Sequence, residues 1–150
     1  MAFLFSRLLP AGLVLALAVA VWPGATTGYA RTAEAIEPIR FARGESSATV
    51  RGAVIRGERA LYSFAARAGQ RLSLSLKATE DNAAFQVYAP GARPEIRDAI
   101  LEVAGDALPG AAEGDDAARW TGTLPHSGSY LLVVGATRGN AEYELTVTIR

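Results

Sequence analysis

"QRLSLSLKA", residues 70 to 78, decides the fold class. Leu72, Leu74 and Leu76 fall on one side of an extended chain, and Ser73, Ser75 and Lys77 on the other. A period of two is the pattern of a strand with one face buried, because successive side chains of an extended backbone point to opposite faces. "AEYELTVTI", 141 to 149, repeats it with Tyr143, Leu145, Val147 and Ile149, and reads as the last strand. Four other short runs rich in branched and aromatic residues lie around and between them: "ATVRGAVIRG" (48–57), "ALYSFAARAGQ" (60–70), "AFQVYAPGA" (84–92) and "SYLLVVGA" (129–136). Turns are marked by Ala68-Gly69-Gln70, Pro90-Gly91 and Ser127-Gly128, where glycine can take the positive φ that reverses a chain. This spacing predicts an all-β protein, an antiparallel β-sandwich of about 8 short strands spanning 39–150.

Two stretches resist that pattern. In "PEIRDAILEVAGD" (94–106), Ile96, Ile100 and Val103 recur at helical spacing and Pro94-Glu95 suits a first helical turn, while Ala99 to Val103 also reads as a strand. An all-β chain needs a partner strand there, which favours the strand. "GDALPGAAEGDDAA" (105–118) is acidic and rich in glycine and alanine, and reads as a long mobile loop.

The first thirty residues are of another kind. One positive charge, Arg7, precedes an uncharged apolar run from Leu8 to Trp22, and small residues end at Gly28-Tyr29-Ala30. The run is shorter than the roughly 20 residues of a membrane-spanning helix, so residues 1–30 read as a signal peptide cleaved after Ala30. "RTAEAIEP" (31–38) has no clear period and reads as a leader before the domain. The mature protein is expected to be periplasmic or secreted, with no membrane contact after cleavage. It has no cysteine, so an exported fold must hold itself by core packing and ladder hydrogen bonds alone.

Cleavage removes Arg7 and leaves 14 of the 15 basic residues against all 15 acidic ones, a balance that lacks the electrostatic footprint of nucleic-acid binding. The catalytic inventory is thin. His126, the only histidine, lies in the turn "LPHSGSY", where a solvated side chain is the default, and a hydrolase reading rests only on it and on scattered acids among which nothing singles out a pair. Ser46-Ser47 lacks the glycine spacing of a nucleophile elbow. One histidine without cysteine builds no ordinary zinc site, and Glu113, Asp115 and Asp116 match no calcium-loop spacing. No cofactor motif is present. A small exported sandwich of this composition reads as a binding protein and not as an enzyme.

Three pieces, "RGESSATVRGAVIRG" (43–57), "YSFAARAGQ" (62–70) and "LPHSGSYLLVV" (124–134), carry a resemblance over about 39–149. In order and character they resemble the periplasmic inhibitors of g-type (goose-type) lysozyme and, more distantly, the pre-peptidase C-terminal β-sandwich domains. The first resemblance implies a g-type lysozyme partner whose peptidoglycan-cleaving cleft is plugged by an arginine-bearing hairpin near the last two strands. "VVGATRGNAEYEL" (133–145) occupies that place with a short hairpin on which Arg138 alone matches. The second implies a non-catalytic envelope module that holds peptidoglycan, glycan or protein. Arg138, Asn140 and Tyr62 are the candidate partner-binding residues. For Tyr62, alternation with Leu61, Ser63 and Phe64 favours sheet packing over a partner contact. Trp120 reads as buried under the sandwich rim.

Overall fold

The computed structural model describes residues 35–150; the expected signal peptide and the first four leader residues lie outside the described residues. The described chain is built of strands: β1 (Glu37–Pro38), β2 (Ser47–Val54), β3 (Arg59–Ala66), β4 (Arg71–Ala78), β5 (Ala83–Tyr88), β6 (Arg93–Arg97), β7 (Ile100–Ala104), β8 (Arg119–Thr123), β9 (Gly128–Ala136) and β10 (Ala141–Ile149), with a 3-10 turn at Thr79–Asp81. They form a sheet ordered β1-β3-β9-β5, a second ordered β2-β10-β4-β8, and a ribbon β6-β7. All pairings are antiparallel except β1 with β3, where Glu37 and Pro38 of the expected leader lie beside Tyr62 and Ser63.

The alternation of β4 and β10 does what a period of two requires. Leu72, Leu74 and Leu76 and, from β10, Ala141, Tyr143, Leu145 and Val147 enter the space between the sheets. They meet Tyr62 and Phe64 of β3, Phe85 and Val87 of β5, and Tyr130, Leu132 and Val134 of β9. Tyr130 is fully buried and its ring stacks on Phe64, with centroids 5.4 Å apart and planes at 8°. Its hydroxyl donates to the His126 carbonyl at 2.7 Å and accepts from the His126 amide at 3.1 Å, so a buried phenol closes the turn before β9. The His126 side chain itself is exposed.

β9 does not alternate: Tyr130 to Val134 are all buried. Both of its faces are covered. Tyr130, Leu132 and Val134 face the sandwich, whereas Leu131 and Val133 join Leu61 and Tyr88 in a second, smaller core on the outside of the same sheet. Leu101 and Val103 of β7 pack on that outer cluster, together with Ala92 and Ala107.

The ambiguous 94–106 stretch is therefore a strand hairpin. Its two-residue turn has Asp98 at φ 50° and Ala99 at φ 64°, both in the left-handed region that a type I′ hairpin turn demands. The cross-strand pairs Pro94 with Val103 and Ile96 with Leu101 lie on one face, from which Leu101 and Val103 reach the sheet while Ile96 stays 57% exposed. Ile100 pairs with Arg97 on the other face and is 59% exposed, so the helical spacing of Ile96, Ile100 and Val103 was a coincidence of residue placement.

The acidic 105–118 run corrects its reading as a mobile loop. Its backbone is laid along β5 by Leu108 N to Val87 O (2.8 Å), Val87 N to Ala111 O (2.9 Å) and Phe85 N to Ala117 O (2.8 Å). Leu108, Ala111 and Ala117 are buried, which gives the run an apolar anchor its composition conceals. Asp115 Oδ2 accepts the Ala112 amide at 2.8 Å and fixes the outer bend. Trp120, half-buried against the main core, donates Nε1–H to the Pro109 carbonyl at 2.9 Å.

Candidate functional site

The turn that carries Arg138 is not a hairpin. β9 has both edges occupied by β3 and β5, and β10 has both edges occupied by β2 and β4, so neither strand has an edge left with which to pair the other. The segment 137–140 is an arch that carries the chain from one sheet to the other. So are the β2–β3 connection at 55–58 and the β4–β5 connection at 79–82. Among the described residues only β6 and β7 pair as sequence neighbours.

These three arches are stitched together at one end of the sandwich. Asn82, a buried polar residue at 8% exposure, accepts the Thr137 amide on its carbonyl at 2.8 Å and Arg138 Nε–H on its side-chain oxygen at 3.1 Å. Its amide nitrogen points back to Glu80 Oε2 at 3.4 Å. Arg138 also sends an Nη2–H to the Glu80 carbonyl at 3.5 Å. Glu80 and Asp81, at φ 54° and 53°, are both left-handed, an uncommon conformation for residues with a Cβ. Asn140 accepts the Arg56 amide on Oδ1 at 3.2 Å and so ties the last arch to the first.

Arg138 and Asn140 are thus exposed on one turn, but the Arg138 side chain rests sideways on the 79–82 arch instead of standing free in solvent. Its partners are neutral oxygens. Among the described residues no carboxylate lies within ion-pair distance of it, whereas Arg51 and Arg59 each have one and Arg97 has two. A guanidinium carries five N–H donors, and these contacts use two, which orients the group without neutralising it.

Tyr62 does not join them. It is 5% exposed in the main core, and its hydroxyl meets that of Tyr143 at 2.6 Å. Burial, then the hydrogen bond with Tyr62, push the Tyr143 phenol far above its ordinary value. A Cβ at Gly52 would stand 2.5 Å from the Tyr143 hydroxyl oxygen, so β2 needs glycine to let the pair form. The candidate contact at Tyr62 is corrected accordingly: it faces inward on β3 and is spent on packing and on this bond.

Sequence reasoning missed Arg56, an exposed residue on the neighbouring arch. The signal was available as a repeated dipeptide, Arg56-Gly57 and Arg138-Gly139, each glycine at positive φ (85° and 58°). Among the described residues no three His, Cys, Asp or Glu side chains converge as a metal site would require.

No protein-family model matches the sequence, and no curated protein does. Solved structures match it along the sandwich. PliG of Aeromonas hydrophila, a periplasmic inhibitor of g-type lysozyme, is 30% identical with a TM-score of 0.57, over 77% of this chain and 96% of its own. The chain belongs to the PliG family. PliG of Salmonella Typhimurium is 26% identical with a TM-score of 0.52, and a mutant of Escherichia coli PliG is 25% identical with a TM-score of 0.53. Both span 75% of this chain and 96% of theirs. These PliG proteins are periplasmic, and this member of the family is likewise periplasmic or secreted.

Proposed function

We propose that this protein, after loss of residues 1–30, inhibits g-type lysozyme by setting the 137–140 arch into the enzyme's peptidoglycan-cleaving cleft. The observation that carries the reading is its relation to PliG of Aeromonas hydrophila across 96% of that chain. The physical argument concerns charge. A lysozyme cleft must hold a carboxylic acid to protonate the leaving oxygen of the glycosidic bond. A guanidinium placed against such a group can make a two-pronged, charge-assisted hydrogen bond. Arg138 is suited to this because its contacts at Asn82 and Glu80 restrict its rotamers while leaving donors and charge unspent. Arg56 on the adjoining arch is a second exposed cation at this end, set beside Glu58, Glu80 and Asp81, and Asn140 holds the two arches in register.

The test mixes the purified protein with a goose-type lysozyme and follows lysis of cell walls, with chicken-type and invertebrate-type enzymes alongside. Selective slowing of the g-type enzyme at sub-micromolar inhibitor is the expected result. Folded protein that slows none of them refutes the proposal. Arg138→Ala is expected to weaken inhibition at least tenfold, about 1.4 kcal/mol. An unchanged inhibition constant would confine Arg138 to holding its own turn.

A further inference from the structure

The outer face of the β1-β3-β9-β5 sheet is only partly covered. The rows around Leu61, Val133, Leu131 and Tyr88 lie beneath the β6-β7 ribbon, but the next row, Arg59-Gly135-Ala84, does not. Gly135 has no side chain and Ala84 only a methyl, and the deficit leaves a half-open recess of about 490 Å³ walled by the start of β7, the 112–116 bend and Thr137. That size suits a small ligand.

Arg59 is built into its floor. The stem lies over Gly135, where a Cβ would meet Arg59 Cγ at 3.8 Å. Nη1–H reaches across to Gln86 Oε1 at 3.3 Å, and the same oxygen accepts the Tyr88 hydroxyl at 2.9 Å. Burial and the nearby Glu113 charge raise the Tyr88 pKa, with Arg59 opposing, so this phenol stays a donor. The remaining partner is of another sort: Nη2 pairs at 3.0 Å with Glu113, whose side chain is 71% exposed against 26% for Arg59. An ion pair with one partner so solvated is weakly held, and a ligand carboxylate can take its place. Glu58 and Asp116 also line the recess, so its lining is acidic around one embedded cation. A purely anionic ligand would meet the rim charges, and a purely cationic one would meet Arg59. Leu101, on the ribbon face toward the sheet, supplies an apolar wall.

From this arrangement we propose a small-molecule site for a zwitterion of the amino-acid or dipeptide class: its carboxylate on Arg59, its ammonium toward the acidic lining at Glu113, Glu58 and Asp116, and an apolar side chain against Leu101. The site borders the 55–58 and 137–140 arches, which contribute Glu58 and Thr137 to its lining.

The test titrates alanyl-leucine into the isotope-labelled full protein and follows amide shifts, with N-acetyl-alanyl-leucine and alanyl-leucinamide as blocked controls. Saturable shifts centred on residues 57–59, 84–86, 99–101 and 112–116 are expected, with each blocked peptide at least tenfold weaker. Arg59→Gln should reduce affinity at least tenfold, and Glu113→Gln, which removes an ammonium partner and the carboxylate that competes for Arg59, should narrow the gap between alanyl-leucine and N-acetyl-alanyl-leucine. Absence of saturable shifts up to millimolar peptide, shifts elsewhere on the surface, or blocked peptides binding as well as the zwitterion each overturn the proposal.

Discussion

The outer faces of the two sheets began from the same period-two backbone and ended differently. On the β2-β10-β4-β8 sheet, register aligns Ser47, Thr148, Ser73 and Thr121 in one row and Thr49, Thr146, Ser75 and Arg119 in the next. Neighbours satisfy one another: Ser47 with Thr148 at 3.0 Å, Thr49 with Thr146 at 3.2 Å, Thr121 with Ser73 at 3.3 Å, and Arg51 with Glu144 at 2.7 Å. Such a face stays wet. The opposite outer face carries Leu61, Val133, Leu131 and Tyr88 and had to be roofed by the ribbon. The difference teaches that a sheet's outer residues dictate whether the chain must return to cover it.

That contrast can be broken most forcefully at Val133, which is 1% exposed. Val133→Asp places an unpaired carboxylate beneath the ribbon and should cost at least ~3 kcal/mol in urea unfolding. A tolerated aspartate would mean that the ribbon lifts freely. Between the sheets, Tyr143→Phe deprives the buried Tyr62 hydroxyl of its partner and should cost ~1–2 kcal/mol, part of it restored in the Tyr62→Phe/Tyr143→Phe double variant. Tyr143, together with Tyr88, gives an alkaline signature. Folded-state pKa values of Tyr143 and Tyr88 lie above the ordinary 10.0, so the neutral form is favoured by folding. Their contribution is whole below that value and drains away as pH rises past it, by less than ~1.4 kcal/mol per pH unit for each group, read as a falling melting temperature between pH 9 and 11. On the wet face the effects should be smallest. Thr146→Val and Arg51→Ala are each expected within ~0.5 kcal/mol of the parent, since exposed hydroxyls and ion pairs trade evenly with water.

The two alternating strands were legible because each buries one face and leaves the other to solvent. β9 was legible as a strand but not as one buried twice, since its cover comes from Leu101 and Val103, thirty or so residues away and masked by a helical spacing. The 105–118 run was misread because its anchors, Leu108, Ala111 and Ala117, are sparse among glycine and acid. Arg138 could be picked out as a turn residue. Its arch could not, because whether adjacent strands pair or part depends on which edges distant strands already fill. The recess at Arg59 was invisible for a related reason: it is created by the small side chains of Gly135 and Ala84, and an absence of atoms has no motif.

The connectivity has one more consequence, for timing. β10, the last nine residues before Arg150, sits between β2 and β4, and Ser47 meets a residue 101 positions later. A ribosome that has delivered everything up to Asn140 has made a chain whose second sheet still lacks its centre. Pairing over such separations is slow to nucleate. The second sheet therefore closes only once β10 has arrived between its neighbours.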